Sequence, residues 1–143
     1  MYDPKRGYPS VVPYLLYEDC TRAIRWLSDV LGMKEVLRAA MPGGNPGHVE
    51  LRHGELIVML GVKGSRFGQV SSITLVFVDD VDAACERAVA EGGRIIDPAT
   101  DQPWGLRQAV VADPEGQRWE ISKHLRDVVP AAWGAELVGD MPG

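Results

Sequence analysis

Two stretches of the chain share one pattern of apolar and polar positions. Residues 12–19 and residues 73–80 each form a short apolar run that ends in two acidic residues. After each acidic pair, the apolar positions recur at helical spacing, at i, i+3 and i+4. The second copy follows the first at an offset of 61 residues, from position 12 to position 73. The pattern predicts a strand followed by an amphipathic helix, twice.

The ends of both predicted helices carry matching residues. Asp19 and Asp80 stand where a side-chain oxygen can accept hydrogen bonds from the first helical turn. Gly32 and Gly93 stand where each helix is expected to stop, because glycine enters the left-handed conformation without steric cost. Both pairs keep the offset of 61 residues, which indicates an internal structural repeat.

Three short extended stretches are predicted after each helix. In the first copy they are residues 33–40, 47–52 and 56–61, with a tight turn at His53 and Gly54. In the second copy they are residues 94–98, 106–112 and 117–123, with a turn at residues 113–116. We therefore predict an α+β fold of two pseudo-symmetric βαβββ modules, which form a cup-shaped mixed sheet with the helices on the outside.

These elements divide the chain into one domain and a tail. The predicted domain is residues 9–126, with module one at about 9–61, a linker at 62–70 and module two at about 71–126. Residues 127–143 form a tail with one short helix. A four-stranded sheet with one helix leaves its other face bare. A cup lined by strands of both modules would be a natural small-molecule site.

Composition and charge exclude several functional classes. The 143 residues carry a formal net charge of −5, so we expect no nucleic-acid partner, which would need a basic surface. No apolar run approaches the ~18–20 residues of a membrane span, and we read no signal peptide. The two cysteines form no disulfide framework. We expect a soluble, cytoplasmic protein without a membrane partner.

The order of these elements resembles the vicinal oxygen chelate superfamily. Residues 14–19 (Tyr-Leu-Leu-Tyr-Glu-Asp) and 76–84 (Val-Phe-Val-Asp-Asp-Val-Asp-Ala-Ala) are similar to the openings of its modules. Residues 101–107 and 113–120 are similar to the closing signature of its small glyoxalase-like members. The superfamily includes glyoxalase I, bleomycin-resistance proteins, fosfomycin-resistance enzymes and extradiol dioxygenases. One fold therefore serves unlike chemistries.

The resemblance also implies where a metal would be held. Metal-dependent members place ligands on the first and last strands of each module, which correspond here to Val12, Met59, Ile73 and Glu120. Only Glu120 offers a suitable donor, whereas a tight catalytic site needs about three protein ligands. We therefore predict no metal and no other cofactor.

The three histidines are the other candidates for a metal site. A spacing of five residues places His48 and His53 on opposite faces of a continuous strand, and His124 follows the last predicted strand. We therefore predict exposed or capping histidines.

Five residues are the candidate ligand-binding set. Tyr14, Met59 and Phe77 would form apolar walls, Trp104 would stack on a planar ligand at the rim, and Glu120 would supply a polar contact. The leading hypothesis is a metal-free small-molecule-binding protein of the bleomycin-resistance type. It would sequester an apolar or planar compound in the cup between the modules, and the acidic charge favours a cationic one.

Other interpretations stay open at this stage. Glu120 could be the general base or metal ligand of a glyoxalase-like lyase or isomerase, or it could form an ion pair with Arg118. The apolar candidates could be plain core residues, and the domain could be an interaction module of a larger assembly. The resemblance further implies a homodimer that exchanges modules or completes its cups across the interface.

Overall fold

The computed structural model describes residues 11–64, 68, 70–137 and 139. Its elements in chain order are β1 (Tyr14–Tyr17), α1 (Cys20–Leu31), β2 (Lys34–Ala40), β3 (Pro46–His53), β4 (Leu56–Val62), β5 (Ile73–Phe77), α2 (Val81–Ala90), β6 (Arg94–Asp101), β7 (Leu106–Ala112), β8 (Arg118–His124) and a 3-10 helix (Pro130–Trp133). The two βαβββ modules predicted from the repeat are confirmed. Part of the predicted linker, at residues 65–67 and 69, lies outside the described residues.

The strands form two mixed sheets of four strands each. The strand order is β1-β4-β3-β2 in module one and β5-β8-β7-β6 in module two. In each sheet the first pair, β1 with β4 or β5 with β8, is parallel and the other pairs are antiparallel. The predicted α+β class is confirmed, with two separate sheets that are not closed into a barrel.

The helix caps follow the sequence prediction at three of four positions. The Asp19 side chain accepts a hydrogen bond from the Arg22 amide, and the Asp80 side chain accepts one from the Ala83 amide, each at 3.0 Å. Gly32 ends α1 in the left-handed conformation, with φ of 69°. These contacts satisfy amide and carbonyl groups that the helix itself leaves without partners.

The prediction for Gly93 is wrong in detail. Helix α2 ends at Ala90, and Gly92 holds the left-handed conformation with φ of 94°. Gly93 is required for a different reason, because a Cβ atom there would lie 2.6 Å from the Ala112 carbonyl oxygen and 2.8 Å from that of Ala88. The second glycine therefore permits close packing of the chain behind α2.

Both modules share one apolar core. Helix α1 packs on β2, β3 and β4, helix α2 packs on β6, β7 and β8, and the two helices contact each other. The Trp26 indole N–H donates a hydrogen bond to the Ala88 carbonyl across this contact, at 3.3 Å. The largest fully buried core side chains are Trp26, Trp119, Tyr17, Leu27, Leu51, Leu60 and Ile121. Each helix thus covers one face of its own sheet.

The turn between β7 and β8 joins module two to module one. The Tyr17 hydroxyl donates a 2.5 Å hydrogen bond to Asp113, and the Glu115 carboxylate accepts hydrogen bonds from the amides of Glu18 and Asp19. The Gln117 side chain donates to the Leu16 carbonyl at 2.8 Å. These contacts fix the turn against the end of β1.

Burial changes the proton affinity of the groups in this joint. It raises the pKa of the Tyr17 phenol, and the nearby Asp113 carboxylate raises it further. Burial also raises the pKa of Asp113, against the opposing effect of the hydrogen bonds that the carboxylate accepts.

Of the helices that the structure describes, none is both long and apolar enough to span a lipid bilayer.

Candidate functional site

The sheet of module one presents a face that α1 does not cover. The strand register pairs Tyr14 and Glu50 with Met59, and pairs His48 with Gly61. Because directly paired residues lie on the same face of a sheet, these five residues share one surface. We call this surface the module-one strand face. It contains two of the predicted ligand-binding residues, Tyr14 and Met59.

A hydrogen-bonded relay crosses the module-one strand face. The Tyr14 hydroxyl lies 2.8 Å from His48 Nδ1, and His48 Nε2 lies 2.8 Å from Glu50 Oε2. The rings of Tyr14 and His48 are tilted by 54° with centroids 5.7 Å apart. Glu50 is 6% exposed, whereas Tyr14 is 37% exposed. The relay therefore runs from a buried carboxylate to a phenol at the surface.

Gly61 makes room for this arrangement. A Cβ atom at Gly61 would lie 2.9 Å from Cε1 of Tyr14 and 3.3 Å from Cδ2 of Leu16. The Tyr14 ring therefore extends over β4 toward His48 on β3. A larger residue at position 61 would displace it.

Module two presents a second uncovered surface, which we call the module-two strand face. The register pairs Leu75 with Glu120 and Phe77 with Ser122. Ile73, Leu75 and Phe77 on β5 are 63%, 45% and 53% exposed. This is an apolar surface along the edge strand of the sheet. It contains two further predicted site residues, Phe77 and Glu120.

Glu120 is half-buried on this face, between β5 and β7. Within the described part of the chain, its carboxylate forms no hydrogen bond and no ion pair. The alternative in which Glu120 pairs with Arg118 is therefore wrong, although Arg118 lies two positions away on the same strand.

Trp104 is held against the module-two strand face by a chain of hydrogen bonds. Its indole N–H donates to the Gln108 side chain at 2.8 Å, and the Gln108 amide donates to the Ser122 hydroxyl at 2.9 Å. Trp133 in the 3-10 helix packs beside it, with ring centroids 5.7 Å apart. Because the Trp104 N–H donates to Gln108, a ligand can contact Trp104 only through the surface of the indole ring.

The relay of Tyr14, His48 and Glu50 has a counterpart in module two. This counterpart is the chain of hydrogen bonds from Trp104 through Gln108 to Ser122. His48 pairs with Gly61 and Gln108 pairs with Ser122, and Gly61 and Ser122 are related by the repeat offset of 61. Each module therefore carries a polar side chain at the same position of its third strand, bonded to an aromatic residue. No local sequence pattern predicts this similarity, because the strand register determines it. Residues 48–52 alternate between polar and apolar residues, as a solvated strand also does.

The five predicted site residues fall into two groups within one chain. Tyr14 and Met59 lie on the module-one strand face, and Phe77, Trp104 and Glu120 belong to module two. The modules meet through α1, α2 and the β7–β8 turn. Among the described residues, no hydrogen bond or ion pair joins the two strand faces.

A groove of about 710 Å³ lies elsewhere, between the end of α1 and the start of α2. Gly32, His53, Asp80, Arg87 and Phe77 are among the residues that line it. Phe77 is the one predicted site residue at its border. The groove therefore lies apart from the hydrogen-bonded side chains on the two strand faces.

The residues at the implied metal positions do not fit a metal. Val12, Met59 and Ile73 offer no carboxylate or imidazole, which leaves Glu120 as a single ligand. Across residues 11–64, 68, 70–137 and 139, no group of three or more His, Cys, Asp or Glu side chains could hold a metal ion.

Sequence and structure comparisons identify the family. The sequence model of the Glyoxalase/Bleomycin resistance protein/Dioxygenase superfamily matches residues 10–121. The chain belongs to this superfamily. The chain is similar to a protein of known structure, TioX from Micromonospora sp. ML1. The two are 38% identical with a TM-score of 0.70, over 82% of this chain and 99% of TioX.

Two further relatives widen this picture. A glyoxalase-related enzyme from Fulvimarina pelagi is 23% identical with a TM-score of 0.67, over 81% of this chain and 88% of that one, and it shares the fold. An uncharacterised protein of Mycobacterium tuberculosis (strain ATCC 25618 / H37Rv) is 30% identical over 131 residues, which cover 84% of this chain and 77% of that protein. The match of the family model over residues 10–121 confirms the superfamily predicted from the sequence.

Proposed function

We propose that this member of the superfamily is a metal-free small-molecule-binding protein of the bleomycin-resistance type. It sequesters an apolar or planar compound, preferably a cation. Tyr14, Met59, Phe77 and Trp104 form the walls of the site, and Glu120 supplies the polar contact.

One observation carries this proposal: the exposed apolar strand β5 lies beside the half-buried Glu120 carboxylate, which has no ion pair among the described residues. Leu75 lies directly opposite Glu120, and Phe77 follows two positions later on the same face. Large exposed apolar surfaces on soluble proteins commonly mark binding sites. A carboxylate within such a surface attracts a cationic group, and the net charge of −5 adds a weaker long-range attraction.

We further propose that the site is completed by a second copy of this chain. Within one chain, the module-one and module-two strand faces belong to separate sheets, and the modules are joined on their helix side. Two copies related by a twofold axis can place the module-one face of each against the module-two face of the other. Such a homodimer would cover Ile73, Leu75 and Phe77 and enclose two ligand sites.

The oligomeric state tests this pairing. We expect light scattering during gel filtration to give the mass of two chains for the wild type. Leu75→Glu would place a charge on the covered face and is expected to give one chain. Val89→Glu, on the exposed side of α2, is the matched control and should remain dimeric. A monomeric wild type, or a dimeric Leu75→Glu variant, would contradict the proposed interface.

Ligand binding tests the proposed function itself. Thioflavin T, a planar cation, and anilinonaphthalene sulfonate, an apolar anion, are suitable fluorescent probes. We expect tighter binding of the cation, and Glu120→Gln should weaken it about tenfold, since about 1.4 kcal/mol separates each decade of affinity. Phe77→Ala should weaken both probes, and Val89→Ala should weaken neither. Probe affinities that do not respond to Glu120→Gln or Phe77→Ala would contradict the proposed site.

The alternative function is a glyoxalase-like lyase or isomerase. The observation that favours it is the same carboxylate, because Glu120 forms no ion pair among the described residues and is placed where it could act as a base. With one carboxylate among the four implied positions, the residues present favour the binding function. The metal content of the protein separates the binding function from a metal-dependent enzyme of this kind.

A further inference from the structure

The relay of Tyr14, His48 and Glu50 has a direction. An ionised carboxylate only accepts hydrogen bonds, so Glu50 Oε2 requires a proton on His48 Nε2, which lies 2.8 Å away. In neutral imidazole the other nitrogen, Nδ1, is then an acceptor. Nδ1 lies 2.8 Å from the Tyr14 oxygen, so the phenol must donate its only hydrogen to it. The buried Glu50 carboxylate thereby determines, through His48, the direction of the Tyr14 hydroxyl hydrogen.

This direction determines what the Tyr14 oxygen can do for a ligand. With its hydrogen directed to His48, the phenol oxygen acts toward the strand face only as an acceptor. The side chain is 37% exposed, and it shares the face with Met59. A ligand group that only accepts hydrogen bonds, such as a carboxylate or a carbonyl, would find no donor in this phenol.

We propose that Tyr14, His48 and Glu50 form a recognition site for a hydrogen-bond-donating group of the ligand, such as an aromatic amine or an ammonium N–H. Tyr14 contacts the ligand, and His48 and Glu50 are positioning residues. This inference rests on the proposed function, because it concerns the same site. It adds an uncharged hydrogen-bond acceptor for an N–H group of the ligand, beside the charged acceptor that Glu120 provides.

The local packing supports a built site rather than an accidental contact. Gly61 is the residue over which the Tyr14 ring lies, and a Cβ atom there would come within 2.9 Å of the ring. The register places His48 between this glycine on β4 and Ala39 on β2. Glu50, at 6% exposure, is a carboxylate that would be costly to bury without its partners.

The first test reads the tautomer of His48 without any ligand. Long-range ¹H–¹⁵N correlation on protein with ¹⁵N-labelled histidine distinguishes Nε2–H from Nδ1–H imidazole. His48→Gln assigns the signal. At about pH 8.5, where imidazole is ordinarily neutral, we expect the Nε2–H tautomer. Glu50→Gln, which can donate as well as accept, should admit the Nδ1–H form. An Nδ1–H tautomer in the wild type would overturn the inference.

The second test reads donor specificity with two matched dyes. Proflavine and acridine orange are planar cations of the same ring system, and only proflavine carries primary amino groups. We expect the wild type to prefer proflavine about five- to tenfold, the effect of about one net hydrogen bond. The ratio of the two affinities should fall in Tyr14→Phe and in Glu50→Gln, whereas Val89→Ala should retain it.

The outcomes separate this inference from the function on which it rests. If neither dye binds, the proposed binding of planar cations fails, and the recognition role fails with it. If both dyes bind but the ratio is the same in the wild type and in Tyr14→Phe, the recognition site alone is overturned. A ratio that depends on Tyr14, together with the Nε2–H tautomer, supports the assignment.

Discussion

The Tyr17 hydroxyl donates a 2.5 Å hydrogen bond to the Asp113 carboxylate, across 96 residues of chain. Tyr17 ends the first strand of module one, and Asp113 opens the turn between the last two strands of module two. Asp113 also accepts hydrogen bonds from the amides of Glu115 and Gln117, at 3.1 and 3.0 Å. One carboxylate therefore shapes the turn and joins it to the other module.

Tyr17→Phe is expected to destabilise the protein by about 1.5–3 kcal/mol, because it removes a buried hydrogen bond to a charged group. Urea unfolding followed by tryptophan fluorescence measures the change. The matched control is Tyr14→Phe, since the Tyr14 side chain is 37% exposed, and we expect a change below about 1 kcal/mol. Equal losses in the two variants would contradict the structural role of the Tyr17 contact.

Glu115→Ala should weaken the same joint through the backbone. The carboxylate accepts hydrogen bonds from the amides of Glu18 at 2.6 Å and Asp19 at 2.8 Å, just before α1. Without it, both amides lose this acceptor, and we expect a loss of about 1–3 kcal/mol in the free energy of unfolding. Glu86→Ala, an exposed carboxylate on α2, should change that free energy by less than about 0.5 kcal/mol. A similar effect in both variants would refute the prediction.

Cys20 is predicted to be unreactive in the folded protein. It is 3% exposed, and burial raises the pKa of its thiol to about 11. The folded protein therefore favours the protonated thiol. The contribution of this preference to the free energy of unfolding is complete below about pH 8.5, and it is lost as the pH rises toward 11. In Cys85→Ser, which leaves Cys20 as the one thiol, alkylation by iodoacetamide at about pH 8.5 should be slow and should accelerate toward the higher pKa.

Two controls accompany this measurement. The same variant in urea should react at the rate of an ordinary cysteine. Cys20→Ala leaves Cys85, which is half-buried, and although burial raises the pKa of that thiol too, we expect it to react faster than Cys20. Fast alkylation of Cys20 in the folded protein would contradict its burial in the apolar core.

Gly61→Ala should displace the Tyr14 ring, since the added Cβ would lie 2.9 Å from it. We expect the preference for proflavine over acridine orange to fall, because the phenol no longer keeps its position beside His48. Gly139→Ala, where a Cβ meets nothing within 4 Å, should leave the preference unchanged. An undiminished preference in Gly61→Ala would mean that the ring does not depend on this glycine.

Much of the fold could be predicted because the two copies of the repeat each indicate the same order of strands and helix. Asp19 and Asp80 mark the helix starts, and both helices begin immediately after them. The end of α2 could not be predicted from the repeat, because two adjacent glycines offered two stopping points and Gly92, not Gly93, turns the chain. The division into two separate sheets also depends on long-range packing that no local pattern records.

The candidate site could be predicted only in part. The strand alternation identified Tyr14, Met59 and Phe77 as residues of the faces that the helices leave uncovered, and whether they bind a ligand stays a prediction. The relay could not be predicted, because His48 and Glu50 reach Tyr14 only through the register of β1, β4 and β3. Their alternation with apolar residues is equally typical of a solvated strand face.

The metal content of the protein tests whether it binds its ligand without a metal. Elemental analysis after purification without chelators, followed by calorimetric titration of stripped protein with Zn, Ni, Mn and Fe(II), gives the stoichiometry for the wild type and for Glu120→Ala. We expect the wild type to take up no metal above the level of Glu120→Ala. Tight binding of one metal per chain, lost in Glu120→Ala, would contradict it and favour the glyoxalase-like enzyme.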